Sequence, residues 1–262
     1  MAGLAKHRHS AEGGYQRGEE TRARIVTTAL KLFGERGYDG TSTREIAASA
    51  GVNAPALQYY FDGKEGLYIA CVEHIVARVW EYLSDVTERA QQVLARPKAS
   101  DAELIEAFCA MQAQFAEFMF TSTDKDDWRL FMARQQAGGG PAAGFQLAYK
   151  GINARVTPVI ASLVGRLLGR AADDEETVIR TAALQGQLTI FHISRRNVLK
   201  TLGWDAINAE RLALIKRLIR EQTEAMLRSF VQMRDAARRT PASVVTRKKT
   251  AGTRQGASAK QS

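Results

Sequence analysis

At 262 residues, 45% of them hydrophobic, the chain is long enough for one large domain or two unequal ones, with enough apolar side chains for a core. Its net charge of +9 sits at the ends: residues 1–18 contribute +2 and residues 236–262 contribute +7, while residues 19–235 hold 27 basic and 27 acidic side chains. A fold that is basic throughout is therefore excluded, and the two ends are read as disordered basic arms with weak, nonspecific attraction to polyanions.

No stretch approaches the roughly 18 uninterrupted apolar residues of a membrane span. The opening M-A-G-L-A-K-H-R-H-S lacks the apolar run of a secretory signal, so a cytoplasmic protein without a membrane partner is expected. Two cysteines, Cys71 and Cys109, fit neither a disulfide framework nor a metal motif and read as buried thiols, with a redox sensor as the alternative. The four histidines make no ligand spacing with Cys, Asp or Glu, and no nucleophile elbow or carboxylate pair stands out. No metal, cofactor or catalytic residue is expected.

Along the chain almost every segment repeats near 3.6 residues, which predicts an all-α fold. Residues 20–36 place Ile25, Ala29, Leu32 and Phe33 on one face before Gly37 stops the helix. Ser42 and Glu45 form a capping box for a short helix that buries Ile46, Ala47 and Ala50. Asn53 can cap the next one, where Pro55 is tolerated because first-turn N–H groups have no helical partner. A long helix is predicted over about 64–95, and a break at Pro97 to Ser100. Further helices are expected around Leu104 to Phe118, around Trp128 to Met132, over 143–169 with a kink near Pro158, over 174–202 and over 206–234.

Three helices of about 17, 7 and 7 residues within the first 61, with a tight Gly51-Val52-Asn53 turn between the last two, make a helix-turn-helix. In that motif the second short helix enters the DNA major groove. This explains why a two-turn helix carries Tyr59, Tyr60 and Phe61 in a row. Leu57 and Phe61 face inward, while Tyr59 and Tyr60 are left for phosphates and sugars.

The run T-S-T-R-E-I-A-A-S-A-G-V-N-A-P-A-L-Q-Y-Y-F-D-G-K-E-G-L-Y resembles the N-terminal domain of TetR-type transcriptional regulators, densely over residues 21–68. The stretches R-L-F-M-A-R-Q-Q at 129–136 and L-Q-G-Q-L-T-I-F-H-I-S-R-R-N-V-L-K-T-L-G-W at 184–204 are similar to the C-terminal domain of the CecR-like subgroup. The resemblance implies phosphate and base contacts from Thr43 and Arg44, recognition positions at Asn53, Ala54, Pro55, Gln58 and Tyr59, and phosphate contacts from Tyr60 and Lys64. Gln58 departs from the tyrosine usual there. A glutamine can pair bidentately with adenine N6/N7, which tyrosine cannot.

The domain division expected is a helix-turn-helix head over 19–63 and a helical ligand-binding and dimerisation body over 64–235. A homodimer is expected, because one two-turn helix reads too few base pairs. Its seam is read on Leu212, Ile215, Ile219, Gln222, Met226, Phe230 and Met233, widened by Leu214 and Leu218, against Gly186, Ile190 and Ile193. Gln185, Thr189, His192 and Arg196 share one face of a single helix, and the body is rich in aromatics. A small-molecule site is therefore expected among Phe115, Trp128, Phe131 and Tyr149, oriented by Gln185, His192 or Arg196. Arg195 and Arg196 beside that stripe suggest an anionic group on an apolar or aromatic effector. The function expected is a ligand-responsive regulator, a repressor released from a palindromic DNA operator; the alternative is an architectural protein binding DNA nonspecifically through its basic tails.

Overall fold

The computed structural model describes residues 8–121 and 125–239, and every element in them is helical. In chain order these are α1 (Arg8–Arg36), α2 (Thr43–Ser49), α3 (Ala54–Phe61), α4 (Gly63–Ala95), α5 (Asp101–Thr121), α6 (Lys125–Gln136) and α7 (Ala142–Ala148). A π-helical turn (Tyr149–Asn153) leads into α8 (Ala154–Leu168), followed by α9 (Glu175–Ile193), α10 (Arg195–Leu202) and α11 (Ala209–Arg239).

The head is closed by local chemistry. Ser42 Oγ accepts from the Glu45 N–H and the Glu45 carboxylate accepts from the Ser42 N–H, so the capping box starts α2. Gly51 (φ 65°) then takes the left-handed conformation, and the Val52 N–H reaches back to the Ala47 carbonyl at 3.0 Å. Arg24 on α1 donates from Nε to the Ala50 carbonyl at 2.9 Å, tying α1 to the end of α2. Asn53 Oδ1 caps α3 through the Ala56 N–H at 2.8 Å, and Leu57 and Phe61 go into the core.

α1 continues into the body rather than ending at a boundary. One buried cluster runs from Ile25 and Phe33 through Leu67 and Tyr68 to Phe131 and Leu163. At its waist the rings of Phe33, Tyr68 and Phe131 lie within 6.5 Å of one another, centroid to centroid. Gly34 makes the crossing of α1 and α6 possible, since a Cβ there would sit 2.8 Å from the Asp127 carbonyl oxygen. Arg134 on α6 then donates to the Gly34 and Glu35 carbonyls at 2.8 and 2.9 Å, satisfying the C-terminal turn of α1. In the body, α5 packs along α4, and α11 closes against α5 and α8.

Several expectations differ from what forms. The arm expected without structure over 1–18 is helical from Arg8 onward; residues 1–7 lie outside the described residues. Propagation explains this: once residues 21–36 are packed, each added residue gains a bond without a new nucleus, which offsets the cost of Gly13 and Gly14. At the other end, residues 236–239 continue α11, and the rest of the expected tail, 240–262, lies outside the described residues. The single helix expected over 174–202 is interrupted at Ser194 (φ −100°, ψ 25°), which separates α9 from α10. Pro158 lies inside α8, and the single helix expected over 143–169 is divided by the π turn over 149–153. Gly151 lets that turn press on α4, since a Cβ there would be 2.4 Å from Val76 Cγ1.

Candidate nucleic-acid interface and body cavity

α3 is clamped on one side only. Leu57 and Phe61 are buried against α1, α2 and α4, while Asn53, Ala54, Pro55, Gln58 and Tyr59 all lie on the solvent side. Tyr59 is 86% exposed, an unusual state for so large a side chain on a two-turn helix. Its ring meets Tyr60 edge-on at 5.5 Å, and the half-buried Tyr60 leans toward α1, with its hydroxyl close to Gly18. The Asn53 cap uses only the carboxamide oxygen. Thr43, Gln58 and Lys64 line one shallow concavity together with Asp39 and Glu45, and Arg44 is exposed on α2. The Lys64 ammonium rests 4.3 Å from the centre of the Tyr38 ring. Of the residues singled out in the head, Thr43, Gln58 and Lys64 are thus brought together, with two carboxylates among them.

In the body, a cavity of about 230 Å³ opens between α4, α5, α8 and α9. Phe115 and Gln185 line it, as does Thr189, whose hydroxyl donates to the Gln185 carbonyl at 3.2 Å. The other residues expected there are placed elsewhere. Phe131 belongs to the aromatic waist between α1, α4 and α6, and Trp128 packs edge-on against the His74 ring of α4. Tyr149 is half exposed and stacked on Phe145 at the surface. Arg196 is exposed on α10, beyond the Ser194 break that separates it from the α9 of Gln185. His192 lies in α9, but its side chain is outside the described residues.

Gln112 on α5 escaped the sequence reading. It lines the cavity, with Leu83, Met111, Ile152 and Val156 among its neighbours there. Two carboxamides, Gln112 and Gln114, stand between Met111 and Phe115 in the sequence, which does not itself single out the one that lines the cavity. Among the described residues lining the cavity there is no Lys, Arg, His, Asp or Glu. Arg195 and Arg196, which suggested an anionic ligand, belong to α10.

The expected dimer seam is also redrawn. Leu212, Ile215, Ile219 and Phe230 are buried within the chain, against α5, α8 and α9. The large apolar side chains left in solvent are Leu214, Leu218 and Met233 on α11, and Val178, Ile179, Ile190 and Ile193 on α9, which also carries the exposed Gly186.

Comparison with known proteins settles the family. Residues 25–71 match the family described as bacterial regulatory proteins, tetR family, and residues 104–230 match the C-terminal domain of the HTH-type transcriptional dual regulator CecR. The chain is 30% identical over 219 residues to the HTH-type transcriptional dual regulator CecR of Shigella flexneri, covering 82% of this chain and 95% of that protein. The chain belongs to the TetR family. Within it the C-terminal domain is of the CecR type, as the sequence resemblance implied. Over a shorter stretch the chain is similar to the HTH-type negative transcriptional regulator IcaR of the Staphylococcus aureus (strain Newman) biofilm operon, 36% identical over 63 residues, covering 24% of this chain and 32% of IcaR. The same fold occurs in AibR, solved in complex with isovaleryl coenzyme A and operator DNA (TM-score 0.52, 16% identity, covering 79% of this chain and 97% of AibR). As a TetR-family member the chain is a DNA-binding transcriptional regulator. Among the described residues, no helix is long and apolar enough to cross a membrane.

Proposed function

We propose that this TetR-family regulator is a homodimer that reads an inverted repeat through α3, represses from it, and is released when a small molecule occupies the body cavity. The observation that carries the reading is the exposed face of α3. A two-turn helix held by α1 and α2 keeps Asn53, Ala54, Pro55, Gln58 and Tyr59 in solvent, where a major groove would cover them. Thr43, Arg44, Tyr60 and Lys64 flank that face and suit the phosphates on either side. Two-fold pairing through the apolar side chains left bare on α9 and α11 would present two such helices, which an operator of two half-sites requires. IcaR is a negative regulator and CecR a dual one, so repression with a capacity for activation is the family precedent. AibR shows that one molecule of this fold can hold a ligand and operator DNA.

Selection of bound fragments from random duplex DNA, followed by footprinting, tests the proposal. An inverted repeat is expected, with half-site centres about 10 bp apart or a multiple of that. Binding with no preferred sequence would favour the architectural reading instead.

A further inference from the structure

Three glycines bring one segment of the body backbone directly against α4. A Cβ on Gly144 of α7 would stand 2.9 Å from the Tyr68 ring, and one on Gly140, just before α7, would overlap the Tyr68 hydroxyl. Gly151 in the π turn is placed the same way against Val76, where an added Cβ would lie within 3.1 Å of both methyl carbons. Gly144 and Gly151 are seven residues apart, and Tyr68 and Val76 eight. The segment therefore lies beside α4 and runs in its direction for about 12 Å.

Past Gly151, Ile152 and Asn153 belong to the cavity wall, and Val156 and Thr157 of α8 continue it. At the opposite end, Tyr68 is held on several sides. Its ring lies edge-on to Phe33 and Tyr38 at 5.3 Å, and its hydroxyl donates to the buried Gln135. The Tyr38 ring, in the turn between α1 and α2, also carries the Lys64 ammonium at 4.3 Å. Lys64 in turn shares the head concavity with Thr43 and Gln58. A continuous line of contacts thus joins the cavity wall to the solvent side of the head.

We propose that residues 140–153 form a strut that carries a displacement of the cavity wall to the head, through Val76 and Tyr68 of α4 and then through Tyr38 to Lys64. This rests on the reading of the cavity as the effector site. A molecule pressing on Ile152 and Asn153 moves backbone that has no side chain to fold aside at Gly144 and Gly151. Close-packed interiors compress little, so α4 takes up the movement. The π turn suits this task, since single π turns within helices recur at functional sites. The glycines set the sensitivity: a methyl group at Gly144 or Gly151 would displace α4 with no molecule in the cavity.

Two substitutions wedge the strut in the full chain: Gly144→Ala against Tyr68 and Gly151→Ala against Val76. Alanine favours helix over glycine, so neither change weakens the segment by propensity. Each should lower affinity for the selected DNA fragment by about tenfold, within the range of coupling between sites, while sedimentation and dichroism stay as in the parent. Val76→Ala removes the two methyl groups that the new Cβ would meet. Adding it to Gly151→Ala should restore affinity to within about threefold of Val76→Ala alone. Without DNA, hydrogen exchange of the amides in α2 and α3 should change in Gly151→Ala and return in the double variant. Lower thermal stability with affinity kept within about threefold would give the glycines a folding role only, and overturns the proposal. So does a loss that Val76→Ala leaves in place, or exchange in α2 and α3 that never moves. Thr189→Phe, which fills the cavity from its α9 wall, examines the effector reading separately. If it leaves DNA affinity unchanged while the glycine variants lower it, the strut stands and the cavity is not the effector site. Should the parent prefer no DNA sequence, the regulatory reading fails and the exchange result alone decides the strut.

Discussion

Gln58 projects from the exposed face of α3 with its amide nitrogen 3.5 Å from Asp62 Oδ1, at the outer limit of a hydrogen bond. So weak an internal contact leaves the carboxamide able to address a base edge. Gln58→Ala is expected to cost about 1–3 kcal/mol at the cognate site and to relax preference at one position per half-site. Tyr60→Phe and Lys64→Ala should weaken all sequences alike, because phosphate contacts carry no base information. Titrations of each variant on cognate and single-base-changed duplexes separate the two classes; an unaltered preference profile for Gln58→Ala removes its base-reading role. The cysteines give a second test at this scale. Burial pushes the Cys71 thiol far above its ordinary range and the Cys109 thiol up to about 11. The thiolate is the reactive form, and about one Cys109 in a thousand is ionised at pH 8. Neither cysteine should react with an aromatic disulfide reagent until the protein is denatured, whereupon both should. Rapid stoichiometric reaction of the native protein would restore the redox-sensor reading.

Among the elements, α2 and α5 begin with the same device. Ser100 and Glu103 repeat the box of Ser42 and Glu45, with the Ser100 N–H donating to Glu103 at 2.7 Å and the Glu103 N–H to Ser100 Oγ at 3.3 Å. Glu103 is held down to about 2, first by the Ser100 N–H, then by the Ser100 hydroxyl and Arg96. Glu45 is lowered from its ordinary value chiefly by the Ser42 N–H. A carboxylate whose pKa is depressed on folding stabilises fully above its unfolded value, here 4.5, and loses that contribution as pH falls through the folded one. Stability should therefore decline between about pH 4.5 and 2 partly through these boxes. In urea melts across that range, a Glu45→Gln, Glu103→Gln double variant should show a shallower decline than the parent. Parallel curves would place the acid sensitivity in other carboxylates.

For the whole molecule, the decisive feature is a core that does not stop at the head. Phe33, Tyr68 and Phe131 join α1, α4 and α6, and the Tyr68 hydroxyl donates to the buried Gln135 on α6. Head and body should consequently unfold together. Fluorescence from Trp80, Trp128 and Trp204, all outside the head, and far-UV dichroism are expected to give superimposable melts. A separate early loss of helix would show the head to be an independent unit. The same continuity provides a route by which displacement of α4 or α6 would move α3. Pairing of two chains is tested on the bare side chains of α9 and α11. Ile190→Arg with Leu218→Arg would bury unpaired guanidinium groups in a seam, each costing several kcal/mol. Sedimentation should then report a monomer with an unchanged helical spectrum, and operator affinity should fall by at least about tenfold.

The head was legible in the sequence because its determinants are local: a capping box within four residues, a glycine needing positive φ, a cap with a proline behind it. The all-α class and the TetR resemblance followed from those signals and from the 3.6-residue period. Periodicity reports that a side chain faces inward, but not which neighbour it meets. Hence periodicity alone reads Leu212, Ile215 and Ile219 as a seam between chains, whereas tertiary packing puts them inside one chain. For the same reason periodicity reads Trp128 and Phe131 as ligand contacts, whereas in three dimensions Phe131 meets Phe33 of α1 and Trp128 meets His74 of α4. The interruption at Ser194 puts Arg196 on a different helix, α10, from Gln185 on α9, which the shared 3.6-residue period did not reveal. Gln112 became conspicuous only once Thr223, 111 residues further along the chain, was seen to share its carboxamide. Local hydrogen bonds and periodicity are written in consecutive residues; a cavity and its polarity arise where distant helices meet, and only the tertiary structure decides them.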